Sequence, residues 1–334
     1  MYRSLIQPCL FALDAEKTHD TTLKLLRLSG KILPPAIAPE SAPITVMGLR
    51  FPNRVGMAAG MDKNGQAIDG LALLGFGFLE IGTVTPRPQS GNPRPRLFRL
   101  PQAEAIINRM GFNNQGIDTL LRHVSTARYR GVLGINIGKN ADTPIEHAAD
   151  DYLLCMEKAY PAASYITINI SSPNTKNLRQ LQDAQALDTL LAQLKEKQAA
   201  LSEYHKIYKP LVLKVAPDLE AGQITIIADT LRRHQIDGLI ATNTTLNRDG
   251  VSGLPHADEA GGLSGAPLTR NALHIICRFA DLLQGDIPII ASGGIMCARD
   301  AKDRLQAGAS LVQLYSGLVY RGPRLVHQCI QAAV

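Results

Sequence analysis

Short apolar runs rich in valine and isoleucine alternate along the chain with longer segments of helical spacing. Eight runs have the character of strands, at about residues 54–59, 78–84, 133–137, 165–170, 211–215, 238–242, 287–291 and 311–315. Helical spacing is clearest at 143–160, 183–204, 219–234 and 299–307. Strands that are almost continuously apolar belong in parallel sheets covered on both faces. Eight of them in alternation with helices predict an α/β protein, a closed (β/α)8 TIM barrel; an open doubly wound sheet would normally use fewer strands. Two stretches depart from the alternation. Residues 1–40 carry two short helical patterns before a linker marked by Pro34, Pro35 and Pro39, so the expected organisation is a small N-terminal helical segment (1–40) and a barrel (41–334). Residues 85–112 form a Pro- and Arg-rich excursion expected over the barrel mouth, where long loops are usually functional.

Composition narrows the class without choosing a ligand. With 334 residues, 45% of them hydrophobic, the chain can bury a large core, which excludes disorder and a disulfide-stapled mini-fold. The net charge of +6 favours anionic ligands, acidic membrane surfaces or nucleic acid. Dispersed basic residues and only 5% aromatics argue against the last. Cys9, Cys155, Cys277, Cys297 and Cys329 are scattered with no Cys-x-x-Cys pair, so no metal site, iron–sulfur cluster or disulfide framework is expected. No run approaches 18 apolar residues and nothing resembles a signal peptide; the expectation is a soluble or peripheral protein.

In such barrels chemistry collects where strands end. Here those positions hold Gly60-Met61-Asp62-Lys63, Thr83, Asn136, Asn169 through Asn174, Lys214, Asn243-Thr244, Gly293-Gly294 and Tyr315-Ser316. Isolated asparagines there read as turn formers; a full ring of polar residues reads as a site. Gly293-Gly294 and Tyr315-Ser316-Gly317 follow the last two strands, where backbone N–H groups commonly receive phosphate, although a glycine pair also makes an ordinary tight turn. Lys214, inside Leu211-Val-Leu-Lys-Val-Ala, reads either as a lysine extending along the outer face or as a buried cation that needs an anionic partner, such as a reduced flavin. Lys63 suits a substrate carboxylate. The segment Asn169-Ile-Ser-Ser-Pro-Asn174 reads as a helix cap or as donors and acceptors for ring amides. Its serines could act as bases only if shielded and coupled to a proton acceptor. No Gly-x-Ser-x-Gly elbow is present, which disfavours acyl transfer.

The runs Met57-Ala-Ala-Gly-Met-Asp-Lys63, Glu80-Ile-Gly-Thr-Val-Thr-Pro-Arg-Pro88, Asn108-Arg-Met-Gly-Phe-Asn-Asn114 and Asn169-Ile-Ser-Ser-Pro-Asn-Thr175 together resemble the class 2, quinone-dependent dihydroorotate dehydrogenases, essentially from end to end. The resemblance implies oxidation of (S)-dihydroorotate to orotate in pyrimidine (UMP) biosynthesis, with hydride passing to FMN and electrons then to a membrane quinone. It implies FMN contacts from Ala59, Gly60, Met61, Asp62, Lys63, Thr83, Asn136, Asn169, Lys214, Thr242, Gly265, Gly294, Tyr315 and Ser316. Substrate would be held by Lys63, Asn108, Arg109, Met110, Gly111, Phe112, Asn169, Asn174, Asn243 and Thr244. Ser172 would be the base and Thr175 part of its proton relay; class 1 relatives carry cysteine there, and none of the five cysteines lies in that loop. His19, Arg99 and Tyr315 would line the quinone tunnel, and no metal or iron–sulfur partner subunit is implied. Lys176-Asn177 and Ala291-Ser292 depart from the residues commoner at those places, and Pro8 predicts that the first helix starts or kinks nearby.

Within the N-terminal extension, Leu5, Ile6, Leu10, Phe11 and Leu13 form one apolar set and Leu23, Leu25, Leu26 and Leu28 another. Arg3, Lys17, Lys24, Arg27 and Lys31 face only Asp14, Glu16 and Asp20 in charge. Alone, this reads as a helical hairpin packed on the barrel or as an element lying in a lipid interface. The resemblance favours the interface, peripheral on the cytoplasmic face of the inner membrane, with the flavin and orotate residues all outside the extension. The alternatives are another FMN barrel acting on a different small acid, or a non-catalytic membrane-associated binding module.

Overall fold

The computed structural model describes residues 2–334; the side chain of Arg3, one of the basic residues of the extension, lies outside the described residues. Eight parallel strands close a barrel in chain order: Val55–Met57, Phe78–Val84, Val132–Ile137, Tyr165–Asn169, Leu211–Val215, Gly238–Ala241, Ile289–Ser292 and Ala309–Leu314. The eighth strand pairs with the first through Val312 and Val55. Each strand expected from the sequence is present, with ends displaced by one or two residues because pairing, not local apolarity, sets where a ladder stops. The flanking helices include Ala148–Ala159, Ala184–His205, Ala221–Arg233 and Ala298–Gln306, at the expected places. Ile117–Thr126, Thr269–Leu283 and Arg324–Ala332 complete the longer part of the outer layer.

The period of two in each strand divides its residues between the barrel axis and the helices. Leu79 and Ile81 join the large cluster under the helices, whereas Phe78 packs at the bottom of the barrel with Tyr165, Val212, Ile290 and Leu311. One step up the same inward faces stand Glu80, Thr167, Lys214 and Gln313, all buried. A polar layer therefore sits on an apolar floor, and the strand ends lie above it.

Two features of the fold are not in the eightfold pattern. A hairpin, Ile44–Val46 with Leu49–Phe51, turns at Met47 and Gly48, both at positive φ, and inserts Val46 and Phe51 into the floor. The excursion at 85–112 is only partly loop. Its strands Leu97–Leu100 and Ala105–Asn108 pair with each other, and Ala105–Asn108 also with Gly262–Gly265, in a three-stranded antiparallel sheet over the mouth.

The N-terminal segment runs through a π-helical turn Tyr2–Ile6, a short helix Gln7–Phe11 with Pro8 in its first turn, and the helix Ala15–Ile32. Asp14 caps the last of these by accepting from the Lys17 amide at 2.9 Å. That helix lies directly against Ile68–Ala72: a Cβ on Gly70 would come 1.9 Å from the Leu26 carbonyl oxygen, so the approach requires glycine. Leu23 is buried and Leu26 packs on the core, while Leu5, Ile6, Leu13, Leu25, Leu28, Ile32 and Leu33 are exposed. Among the described residues no helix is long and apolar enough to cross a membrane.

Candidate active site

A cleft of about 1140 Å³, partly open to solvent, occupies the C-terminal mouth of the barrel beneath the three-stranded sheet. Its walls bring together Ala59, Gly60, Lys63, Thr83, Asn169, Lys214, Thr242, Gly294, Tyr315 and Ser316 with Asn108, Met110, Gly111, Phe112, Ser172, Asn174, Asn243 and Thr244. These residues span some 260 positions of sequence; parallel strands with one C-terminal end are what unite them.

The floor of the cleft is a chain of side-chain hydrogen bonds. Asn169 Nδ2 donates to Thr83 Oγ1 at 2.8 Å, Thr83 Oγ1 to Asn136 Oδ1 at 2.5 Å, and Asn136 Nδ2 to Glu80 Oε1 at 2.9 Å. The other Glu80 oxygen accepts from Tyr165, Thr167 and Gln313 at 3.0, 3.2 and 2.8 Å. Glu80 is the nearby negative charge that offsets, in part, the effect of burial on Lys214, whose pKa is lowered by desolvation. The Lys214 ammonium has no hydrogen-bond partner within the described residues, although it is 5% exposed and lines the cleft. A buried cation in that position demands an anion or acceptor from a ligand.

At the other end of the cleft, Lys63 Nζ donates to Asn113 Oδ1 at 2.5 Å. Desolvation, reinforced by the charge of Arg96, lowers its pKa to about 7. Asn174 Nδ2 donates to Asn108 Oδ1 at 3.1 Å, and Asn243 Nδ2 to Asn169 Oδ1 at 3.3 Å, which joins four asparagines around one space. The two serines of the fourth strand's loop have different surroundings. Ser171 Oγ donates to Asn169 and accepts from Asn243 at 3.1 and 2.9 Å, and its carbonyl is held by Arg179. Ser172 Oγ accepts only the Asn174 amide, at 3.2 Å, and faces the cleft. Thr175 does not line the cleft; its Oγ1 is buried with no hydrogen-bond partner.

Several residues of the sequence-derived set stand elsewhere. The Arg109 guanidinium turns away from the cleft to Glu259 at 2.6 Å and stacks over Phe98. A carboxylate already satisfies it, and Arg109 is not among the residues that line the cleft. The buried Asp62 carboxylate accepts from the amides of Asn64, Gln66 and Ala67 and so shapes the loop carrying Lys63. Met61 faces an apolar cavity, Asn136 lies below Thr83, and Gly265 pairs with Ala105 at the sheet edge while Ser264 lines the cleft. Residues absent from that set include Glu80, Gln313, Asn113, Ser264 and Ser292. A glutamate embedded in Phe-Leu-Glu-Ile-Gly was a readable sign of an inward polar layer; the others carried no local signal.

A second, largely apolar cavity opens between the N-terminal helices and the barrel, lined by Leu10, Phe11, Thr18, His19, Thr22, Arg99 and Tyr315 among others. His19, Leu97, Ile106 and Tyr315 belong to both cavities. Burial, with the nearby Lys63 charge, lowers the His19 pKa to about 4, so its imidazole is neutral at physiological pH. Arg99 donates to the carbonyls of Leu10 and Leu13 and stacks on Phe11. Among the described residues no group of three or more His, Cys, Asp or Glu side chains is placed to hold a metal ion.

The family model for dihydroorotate dehydrogenase matches residues 41–333. The chain belongs to the dihydroorotate dehydrogenase family. It is 62% identical over 333 residues to the dihydroorotate dehydrogenase (quinone) of Azoarcus sp. (strain BH72), covering 99% of this chain and 98% of that one. It is 61% identical over 331 residues to the protein of the same name from Burkholderia pseudomallei (strain K96243), covering 98% and 97%. The crystal structure of DHODH from Eimeria tenella in complex with ferulenol superposes with a TM-score of 0.88 at 36% identity, over 95% of this chain and 90% of that one. Membership of the dihydroorotate dehydrogenase family thus extends through the N-terminal helices, which the family model leaves out.

Proposed function

We propose that the chain oxidises (S)-dihydroorotate to orotate in pyrimidine biosynthesis and passes the electrons to a membrane quinone, with FMN as resident cofactor. The observation that carries this reading is one cleft lined by two hydrogen-bonded asparagine pairs and two lysines, of which Lys214 is buried with no hydrogen-bond partner among the described residues. The residues present fit a flavin mononucleotide. Gly294, at φ +65°, would place a Cβ 2.4 Å from the Thr269 backbone, and a Cβ on Gly317 would meet the Ile295 carbonyl at 2.1 Å. Bare backbone there, with Ser264 and Ser316 hydroxyls 2.8 Å apart, suits a phosphate. Gly60, Thr83, Asn169 and Lys214 would hold the ring system. When bound, FMN supplies the hydride acceptor of one half-reaction and the electron donor to quinone in the other.

The chain's own residues do the rest. Lys63 holds the substrate carboxylate, and Asn108, Asn174, Asn169 and Asn243 match the ring amides with donors and acceptors. Ser172 takes a proton from a ring carbon while hydride leaves the adjacent carbon. Ser171 is committed to its neighbours, so the free hydroxyl in the cleft is that of Ser172; Thr175, three residues along the same loop, would take up its proton only through a hydrogen bond formed with substrate in place, since its Oγ1 has no partner here. The Lys214 ammonium stabilises negative charge at the cleft floor. Quinone reaches the cleft through the apolar cavity past His19 and Tyr315. Residues 1–40 act as the access segment beside the barrel of 41–334: their exposed leucines and isoleucines rest in the lipid interface and Lys17, Lys24, Arg27 and Lys31 meet headgroups, peripherally on the cytoplasmic face of the inner membrane. The test is direct. Purified protein absorbs in the flavin region with about one FMN per chain and forms orotate with a quinone analogue; a colourless protein, or one that dihydroorotate leaves oxidised, overturns the reading.

A further inference from the structure

The N-terminal helix reaches past the apolar cavity and into the polar framework of the cleft. Glu16, in its first turn, is buried, and its carboxylate receives the Arg96 guanidinium as a fork, Nη2 to Oε1 at 2.8 Å and Nε to Oε2 at 3.1 Å. Arg94 adds a third contact at 2.9 Å from a more exposed position. Arg96 is 6% exposed and spends its remaining nitrogen, Nη1, on the carbonyls of Ser90 and Asn92 at 2.6 and 2.8 Å. Its own carbonyl accepts from the Arg109 amide at 2.9 Å. Asn92 then carries the link onward: its amide nitrogen Nδ2 donates to the carbonyls of Arg109 at 2.8 Å and Asn174 at 3.3 Å, and its backbone N–H donates to Met110 at 3.1 Å.

We propose that Glu16 is a positioning residue for dihydroorotate: through Arg96 and Asn92 it fixes the backbone that presents Asn108 to Phe112 and Asn174 to the cleft. The inference rests on the substrate reading given above. It goes beyond it in placing a determinant of the dihydroorotate half-reaction on the segment that serves quinone. The physical reason is that Arg96 has no other carboxylate among the described residues; without Glu16 a buried guanidinium is left with neutral carbonyls alone and must move or admit water, taking the loop at Ser90–Asn92 with it. The charge balance at Lys63 supports the same conclusion. Arg96 lowers the Lys63 pKa while Glu16 and Asp20 raise it, with neutral His19 beside it and Asn113 accepting its hydrogen bond. Loss of the Glu16 charge therefore makes Lys63 shed its proton at lower pH and weakens its hold on a carboxylate.

The experiment titrates orotate into the flavin-loaded full-length protein, following the flavin absorbance, for wild type, Glu16→Gln, Arg96→Lys and Asp14→Ala across pH 5.5 to 9 (roughly the range in which a lysine near 7 titrates). Stopped-flow reduction by dihydroorotate, with no quinone present, accompanies each titration. Glu16→Gln is expected to raise the orotate Kd on the order of tenfold, within the usual range for coupling between sites. The pH at which its binding fails moves down, while flavin reduction at saturating dihydroorotate keeps its rate constant. Arg96→Lys, which keeps a charge but loses the fork, raises the Kd as well and carries the test if Glu16→Gln does not retain flavin. Asp14→Ala removes the cap of the same helix without touching Arg96 and leaves orotate binding as in wild type. An unchanged Kd and pH profile in Glu16→Gln and Arg96→Lys overturns the proposal, and so does an equal loss in Asp14→Ala, which would reduce Glu16 to a clasp for the helix. Wild-type protein that holds flavin but ignores orotate would instead overturn the substrate reading itself.

Discussion

At Ser171 and Ser172 neighbouring residues of one type have separate fates, and hydrogen bonding is what separates them. Ser171 is engaged on both sides, whereas Ser172 retains a hydroxyl that faces the cleft. Replacing Ser172 with alanine is expected to slow flavin reduction by about 10²–10⁴-fold, the usual contribution of a general base, while orotate still binds. Stopped-flow reduction at saturating dihydroorotate checks this, and an unchanged rate removes Ser172 from the chemistry. Lys214 differs in kind: it touches no protein acceptor, so its loss falls on the cofactor. In Lys214→Ala the flavin potential is expected to drop and FMN to dissociate more readily, because charge developing on the ring loses its ammonium. Redox titration and FMN content measure both, and normal values for the two return Lys214 to a packing role.

Among the elements, the helix Ala15–Ile32 shows how one amphipathic pattern can serve two surfaces. Its inner side packs Leu23 and Leu26 on the barrel and brings Gly30 onto Gly70, while Leu25 and Leu28 face outward beside Lys24 and Arg27. Leu25→Glu with Leu28→Glu leaves the buried side intact, so the protein stays folded and yellow. Co-sedimentation with anionic liposomes and turnover with long-chain quinone are expected to fall together, and turnover with a water-soluble analogue to persist. Undiminished liposome binding would show that this face does not meet lipid. The same helix is tied to the site by Glu16, whose pKa burial would raise but the hydrogen bonds of Arg96 and Arg94 bring down to about 2. A carboxylate depressed in the folded state adds stability above its unfolded pKa near 4.5 and loses it as pH falls through about 2. Among the described residues of the extension only His19 lines the cleft, yet the extension is tied to the loops that form it.

For the whole molecule, the cleft and the apolar cavity share part of their lining, which is the arrangement the proposed two half-reactions would need. His19, Leu97, Ile106 and Tyr315 form the shared wall, so on the proposed reading an acceptor in the apolar cavity would lie beside the cleft without occupying it. The isolated chain is expected to turn over dihydroorotate with quinone analogues; NAD is expected to be a poor acceptor because no Gly-x-Gly-x-x-Gly fingerprint occurs in the sequence, and fumarate because the loop of Ser172 lacks the cysteine of the class 1 relatives. Efficient NAD reduction by the purified chain would overturn the assignment of acceptor.

The barrel was legible in the sequence because local patterning carries it: near-continuous apolar strands, helical spacing between them and polar residues at every strand end need no distant partner to be recognised. Lys63, Asn169 and Ser172 were legible as polar residues at strand ends; Asn108 entered only through the resemblance of its run. Tertiary structure alone decided what depends on residues far apart. Gly262–Gly265 becomes a strand because Ala105–Asn108, about 150 positions earlier, pairs with it. Arg109 leaves the cleft because Glu259 lies within reach, and Glu16 is buried against the loop behind the cleft because Arg96 receives it there. Helical spacing placed Leu23, Leu25, Leu26 and Leu28 in one apolar set, but only the approach of Gly70 to Leu26 determined which of them are covered. Periodicity is a property of neighbours along the chain; a buried charge or a close backbone contact is settled by the partner that folding brings to it.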